Sequence, residues 1–215
     1  MTTEDTCIDP GMKTLAIATS GHILTTLNGK QKLAEMDGFL CGNPGRITKT
    51  IANAMRYGGR DEKIVALNAF ADILSKPEDD YDSEASSELT KVFYFSIGKA
   101  GLPNPVDHMF QIIKQPFADI SEAAYRILQN IVDKWWGLGI VIGQPGMVEF
   151  LLDRNIAMSK QAKEVRYNLI KTLAENPTAS DSSIMPSDLL KRMRIYIKQG
   201  PFYIAAQAEV ALEEG

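Results

Sequence analysis

Four nine-residue stretches of this chain repeat one apolar pattern: Ala16–Leu24 (AIATSGHIL), Ala66–Leu74 (ALNAFADIL), Ala124–Val132 (AYRILQNIV) and Arg166–Ala174 (RYNLIKTLA). In each, apolar residues recur at three- and four-residue spacing, the period of one buried helix face. Their starts lie 50, 58 and 42 residues apart. A helical unit returning at about 40–47 residues, lengthened here by loops, is the mark of HEAT and armadillo repeats. One such unit cannot bury its apolar face alone, so the copies must stack. The expected fold is all-α, a right-handed α-solenoid of HEAT/armadillo-like repeats. Folds of this kind mostly bind other proteins, which directs the reading away from an enzyme.

Helix punctuation divides the chain further. Asp9-Pro10 is a helix start, a capping carboxylate followed by proline at the first helical position. That helix is expected to run to Leu27 and to end at Asn28-Gly29. Glycine and proline then separate a short, a medium and a long helix, in the order of an armadillo unit. The expected division is a partial repeat at 9–28, repeats at 29–76, 82–134 and 135–176, a terminal helix at 186–199 and a tail at 200–215. The chain opens on what reads as the third helix of a unit. Its first helix should therefore show an uncovered apolar face, and the natural protein is expected to extend further toward the N-terminus.

The net charge of −4 and pI of about 5.3 lack the basic footprint of a nucleic-acid binder. The longest apolar run, around Gly137–Gly143, falls far short of the ~20 residues that cross a bilayer. Met1–Asp9 is polar and acidic, unlike a secretory leader. Cys7 and Cys41 make no disulfide framework and read as free thiols. A cytosolic or nuclear protein follows, with no nucleic acid and no membrane among its partners. Lys76–Glu88 carries six acids and one lysine and reads as a solvated loop.

Residues able to do chemistry are sparse. His22 and His108 are the two histidines, and neither has Cys, His or carboxylate partners at metal-ligand spacing. Neither pairs with a nucleophile. No cofactor and no metal are expected. Gly42-Asn43-Pro44-Gly45-Arg46 lacks the Gly-Lys-Ser/Thr ending of a phosphate loop and reads as a turn. Of Trp135 and Trp136, one should pack between repeats and the other should sit at the groove edge.

One constellation survives. In an armadillo unit the third helix lines the groove, and its groove-facing positions lie one turn apart. Aligning the four stretches brings Ala18 and His22, Asn68 and Asp72, Arg126 and Asn130, and Asn168 and Thr172 to equivalent places. Seven of these eight are polar within otherwise apolar stretches. Amide and hydroxyl side chains there suit the backbone of an extended peptide; the plainer alternative is a solvated helix face. The terminal helix adds Lys191, Arg192, Arg194 and Lys198 with no acid between them. Together with Lys163, Arg166 and Lys171 they read either as a solvated face or as a basic end to the groove, able to receive an acidic segment or a terminal carboxylate.

The last third of the chain is more specific. Gln144–Asn155 (QPGMVEFLLDRN), Tyr167–Leu173 (YNLIKTL) and Ile195–Ile204 (IYIKQGPFYI) resemble the C-terminal end of the proteasome non-ATPase regulatory subunit 5 family. Weaker similarity runs upstream through Gly29-Lys30-Gln31 and the Asp9-Pro10 helix start. The resemblance implies a cytosolic and nuclear solenoid that acts as an assembly chaperone for the base of the proteasome regulatory particle. Its implied partners are the C-terminal domain and tail of one proteasomal ATPase subunit, with neighbouring base subunits. It implies no catalytic residues, and members longer than this chain. A general peptide- or protein-binding armadillo adaptor or scaffold is the competing reading.

Overall fold

The structure is a computed structural model that describes residues 9–37, 44–77, 83–156 and 158–204. Cys7, Cys41, the centre of the acidic loop, part of the Gly42–Arg46 turn and the end of the tail lie outside these residues. Among the described residues there are helices and turns and no strand, as the apolar periodicity requires.

Eleven α-helices are described: α1 (Pro10–Ile23), α2 (Leu27–Asp37), α3 (Arg46–Tyr57), α4 (Arg60–Leu74), α5 (Ser83–Lys99), α6 (Pro105–Ile113), α7 (Ala118–Val132), α8 (Gly137–Ile142), α9 (Met147–Leu152), α10 (Lys160–Glu175) and α11 (Ser187–Gln199). A 3-10 turn at Pro177–Ser180 separates the last two. Local chemistry sets the boundaries. Asp9 caps α1 by accepting from the Met12 N–H at 3.2 Å, and Asn104 caps α6 in the same way through Asp107. Pro10 and Pro105 supply the first turns. Gly200, at φ 82°, ends α11 in a conformation that L side chains rarely adopt.

The first break differs from expectation. It falls at Leu24–Thr26, and Asn28-Gly29 lies inside α2. Two threonines explain this. The Thr25 hydroxyl donates to the His22 carbonyl at 2.8 Å, and the Thr26 hydroxyl donates to the Ile23 carbonyl at 3.2 Å. Thr26 Oγ1 also accepts from the Gly29 N–H at 3.0 Å, so it caps α2. Hydroxyls that satisfy the end of one helix and the start of the next outweigh the turn preference of Asn-Gly.

The four repeated stretches lie in α1, α4, α7 and α10. These helices pack in chain order, α1 on α4, α4 on α7 and α7 on α10. A second set covers their other side: α3 on α4, α6 on α7, and α11 on α10. The core runs along the seam as one continuous cluster, from Ile17 and Leu24 through Phe70, Phe93 and Tyr125 to Leu169 and Met193. The α1–α4 contact is especially close. A Cβ placed on Gly21 would come within 2.7 Å of the Ala69 Cα, so only glycine lets the two backbones approach this far. The outer face of α1 exposes Met12, Leu15 and Ile23, each more than half accessible. Trp136 is buried against Tyr94, ring centroids 5.3 Å apart, and its indole N–H donates to the Ser87 carbonyl at 3.1 Å. Trp135 is exposed, with the Lys91 ammonium 4.4 Å from its ring centre.

Candidate partner-binding face

The long helices α7 and α10 turn an apolar stripe toward their neighbours and leave a polar stripe in solvent, whereas α1 also exposes Met12, Leu15 and Ile23. On α7 that stripe is Asp119, Glu122, Arg126, Asn130 and Asp133; on α10 it is Gln161, Glu164, Asn168, Thr172 and Glu175. Stacking the helices sets the stripes side by side.

The stripes are tied across the helix boundaries. Lys13 of α1 pairs with Glu62 of α4 at 2.7 Å. Arg60 of α4 pairs with Asp119 of α7 at 2.7 Å. Asp72 of α4 pairs with Arg126 of α7. Gln161 of α10 donates to Glu122 of α7 at 2.6 Å. Every junction in the row thus carries a polar clasp. The Arg60 guanidinium, helped by the Ile120 backbone N–H, holds the Asp119 carboxyl below its ordinary pKa.

Against this frame the predicted ladder separates into two groups. Asp72, Arg126 and Asn130 are engaged within the protein: the first two pair with each other, and the Asn130 amide donates to the Ala71 carbonyl at 2.7 Å. Thr172 donates to the Asn168 carbonyl one turn back at 2.9 Å. His22 and Asn168 are exposed and Asn68 is half-buried, and no side-chain hydrogen bond or ion pair engages them among the described residues. The three lie on α1, α4 and α10, with Arg126, paired to Asp72 of α4, on the intervening α7.

The basic end is smaller than expected. Lys191, Arg192 and Arg194 are exposed on α11. Arg166 is not part of that surface. It is 1 % exposed, turned inward, and donates from Nη1 to the Asp153 carbonyl at 2.7 Å. Lys171 faces Glu175 one turn on, at 3.9 Å. An arginine at the first position of an otherwise apolar stretch has a long enough stem to cross the core edge and reach a loop carbonyl, and its sequence position alone does not reveal that.

His108 is structural in its surroundings. Its Nε2 lies 3.2 Å from the Met55 carbonyl, and burial lowers its pKa below the ordinary imidazole value. Among the described residues no group of three His, Cys, Asp or Glu side chains is placed to hold a metal, and no helix is long and apolar enough to cross a membrane.

Sequence reasoning missed the side-chain contacts to carbonyls at the ends of other helices. The wholly buried Lys30 of α2 donates to the Ser75 carbonyl just past α4, and the buried Asn176 donates to the Val132 carbonyl at the end of α7, at 2.5 Å in each case. A lysine after Gly29 and an asparagine before Pro177 gave only local turn signals.

The family model described as proteasome non-ATPase 26S subunit matches residues 4–215. The chain belongs to this family. It is 26 % identical over 205 residues to the 26S proteasome non-ATPase regulatory subunit 5 of Homo sapiens, covering 95 % of this chain and 38 % of that protein. The Mus musculus protein of the same name is 28 % identical over 207 residues, with the same coverage. The Drosophila melanogaster protein is 27 % identical over 105 residues, covering 49 % of this chain and 20 % of that one. The chain thus spans less than two-fifths of the length of these relatives and matches the C-terminal part of the mammalian ones. The family is not a catalytic one. Two crystal structures of engineered proteins share the fold, with TM-scores of 0.60 and 0.59 at 14 % and 15 % identity. They cover 88 % and 91 % of this chain, and 64 % and 46 % of their own lengths.

Proposed function

We propose that this chain is a non-enzymatic assembly chaperone for the base of the proteasome regulatory particle, cytosolic or nuclear, and that it holds the C-terminal domain of one ATPase subunit. Membership of a proteasome non-ATPase subunit family makes the role a proteasomal one. The observation that carries the finer reading is the row α1–α4–α7–α10, whose polar clasps bridge each junction and hold its exposed side chains in register. A surface held rigid before the partner arrives loses little entropy on binding. Of the predicted ladder, His22, Asn68 and Asn168 have hydrogen-bonding capacity to spare. Asp72, Arg126 and Asn130 keep the row in register, and Thr172 offers its remaining lone pair. Lys191, Arg192 and Arg194 lie near the end of the row and attract acidic segments of the partner or of neighbouring base subunits.

The mechanism is steric and thermodynamic. Occupying the partner's C-terminal domain keeps it from docking early, and release follows when a competitor takes the same surface. Calorimetry against the isolated C-terminal domains of the base ATPases tests this. Selective binding to one is expected, weakened about tenfold or more by Asn68→Ala with Asn168→Ala. Binding to none, or to all alike, would refute the reading.

A further inference from the structure

Arg166 is a buried cation with no carboxylate partner among the described residues. Its Nη1 donates to the Asp153 carbonyl at 2.7 Å, but its Nε–H has no hydrogen-bond partner. Neither have the hydroxyls of Tyr125 on α7 and Tyr196 on α11, residues that are 1 % and 3 % exposed. The helix that carries Arg166, α10, packs on both α7 and α11. The Arg166 charge and the Tyr196 phenol both act on Tyr125, so the three unmatched polar atoms share one locality inside the end of the stack. Folded proteins rarely leave buried polar atoms unmatched, and three together form an arrangement that a ligand completes.

Charge balance says what kind of ligand. Every acid on α7, α9, α10 and α11, and Asp153 between α9 and α10, is exposed. None forms an ion pair with Arg154 or Arg166 among the described residues. The Asp153 carboxylate accepts instead from the Asn155 N–H at 2.9 Å. Arg154 adds a second positive charge. Its guanidinium lies 3.7 Å from the centre of the Tyr196 ring and donates to the Tyr196 and Gly200 carbonyls, each at 3.0 Å. Tyr125 cannot supply the balancing negative charge, because burial pushes its phenol above the ordinary tyrosine pKa and keeps it neutral. The guanidinium only donates, and each hydroxyl has one proton to give. A water molecule would satisfy these donors and leave the buried guanidinium uncompensated; an anion does both.

We propose that the Arg166 Nε–H and the Tyr125 and Tyr196 hydroxyls bind a small monovalent anion of the chloride class, which joins α11 to α7 and α10. The burial of all three groups excludes an anion as large as a phosphate ester. α11 is the last helix of the stack, and local opening at such an end admits the ion. The site lies in the interior, apart from the exposed side chains of the row, so it holds with or without the function proposed above.

Urea unfolding of the whole chain in sodium chloride and in sodium gluconate, at equal ionic strength, tests it. Chloride is expected to stabilise beyond gluconate. Once chloride exceeds its dissociation constant, the unfolding constant should fall about tenfold for each tenfold rise in chloride. The chloride NMR line should broaden in the presence of the protein and sharpen again when bromide competes. Tyr125→Phe with Tyr196→Phe keeps both rings and removes two donors; Arg166→Met removes the charge and keeps most of the stem. Both variants should lose the difference between the two salts and the broadening. Circular dichroism checks that their helices persist, and should Arg166→Met unfold the chain, the double phenylalanine variant decides alone. Equal stability in the two salts, or a chloride dependence unchanged in the phenylalanine variant, would overturn the proposal. A loss of stability in that variant that is the same in both salts would give the three groups to a buried water and overturn it too.

Discussion

Asn176 follows the last residue of α10, yet its amide is spent on α7. It donates to the Val132 carbonyl at 2.5 Å, while its own Oδ1 accepts from the Thr178 N–H at 2.8 Å and the Thr178 hydroxyl at 2.6 Å. The side chain is buried, so no water replaces it when it is removed. Asn176→Ala should cost about 1–3 kcal/mol, the desolvation penalty of a stranded carbonyl, as a shift in the urea midpoint. His108 gives a pH-dependent case. Burial, its first cause, holds the folded pKa below that of the unfolded chain. The unfolded chain then binds more protons, so stability is complete above the ordinary imidazole pKa and is lost as pH falls below it. His108→Gln, which keeps a donor for the Met55 carbonyl, should flatten the loss between about pH 7.5 and about pH 5.5. An unchanged pH slope would show that other groups set it.

At the scale of elements, Gly21 sets two simple rules against each other. In a helix interior, Ala is favoured over Gly by about 1 kcal/mol. Against this, a Cβ at Gly21 would lie 2.7 Å from the Ala69 Cα and 2.8 Å from its Cβ. Backbone atoms cannot step aside, so α1 must move off α4. Gly21→Ala should therefore destabilise by roughly 1–3 kcal/mol, the usual cost of overpacking; a gain in stability would mean that α1 is free to shift. The same contact shows what a sequence makes legible. The repeated apolar stretches identify the long helices, because one buried face in 3.6 residues is a property of the chain itself. They do not say how near two helices come, which depends on the residue opposite, here Ala69 across from Gly21. The ladder has the same limit. Periodicity places Asp72, Arg126 and Asn130 on a solvated face, but whether a polar group there meets a partner or its neighbouring helix is decided by stacking. Arg166 is the sharpest miss, since a charge in an apolar stretch reads as surface until a loop carbonyl is found at its tip.

At the scale of the whole molecule, the packing is sequential: α1 on α4, α4 on α7, α7 on α10 and α10 on α11. Stability in such a stack is a sum of unit and nearest-neighbour contributions rather than one cooperative block. Two substitutions of different position test that difference. Leu128 lies in α7 and is wholly buried; Leu128→Ala should cost about 2–5 kcal/mol. Because α7 packs on α4, α6 and α10, hydrogen exchange should rise in all four helices. Gly21→Ala weakens only the junction at one end. Exchange should rise in α1 and the adjoining face of α4, while α10 and α11 keep their protection. Local openings of unequal free energy are what such an arrangement allows. If Gly21→Ala instead loosened α11 as much as α1, the clasps would be transmitting strain along the row, and the chain would unfold as a single unit. A partner held across all four long helices would then also stabilise the far end. The sequential case predicts a narrower effect, with protection gained only in the helices that the partner touches.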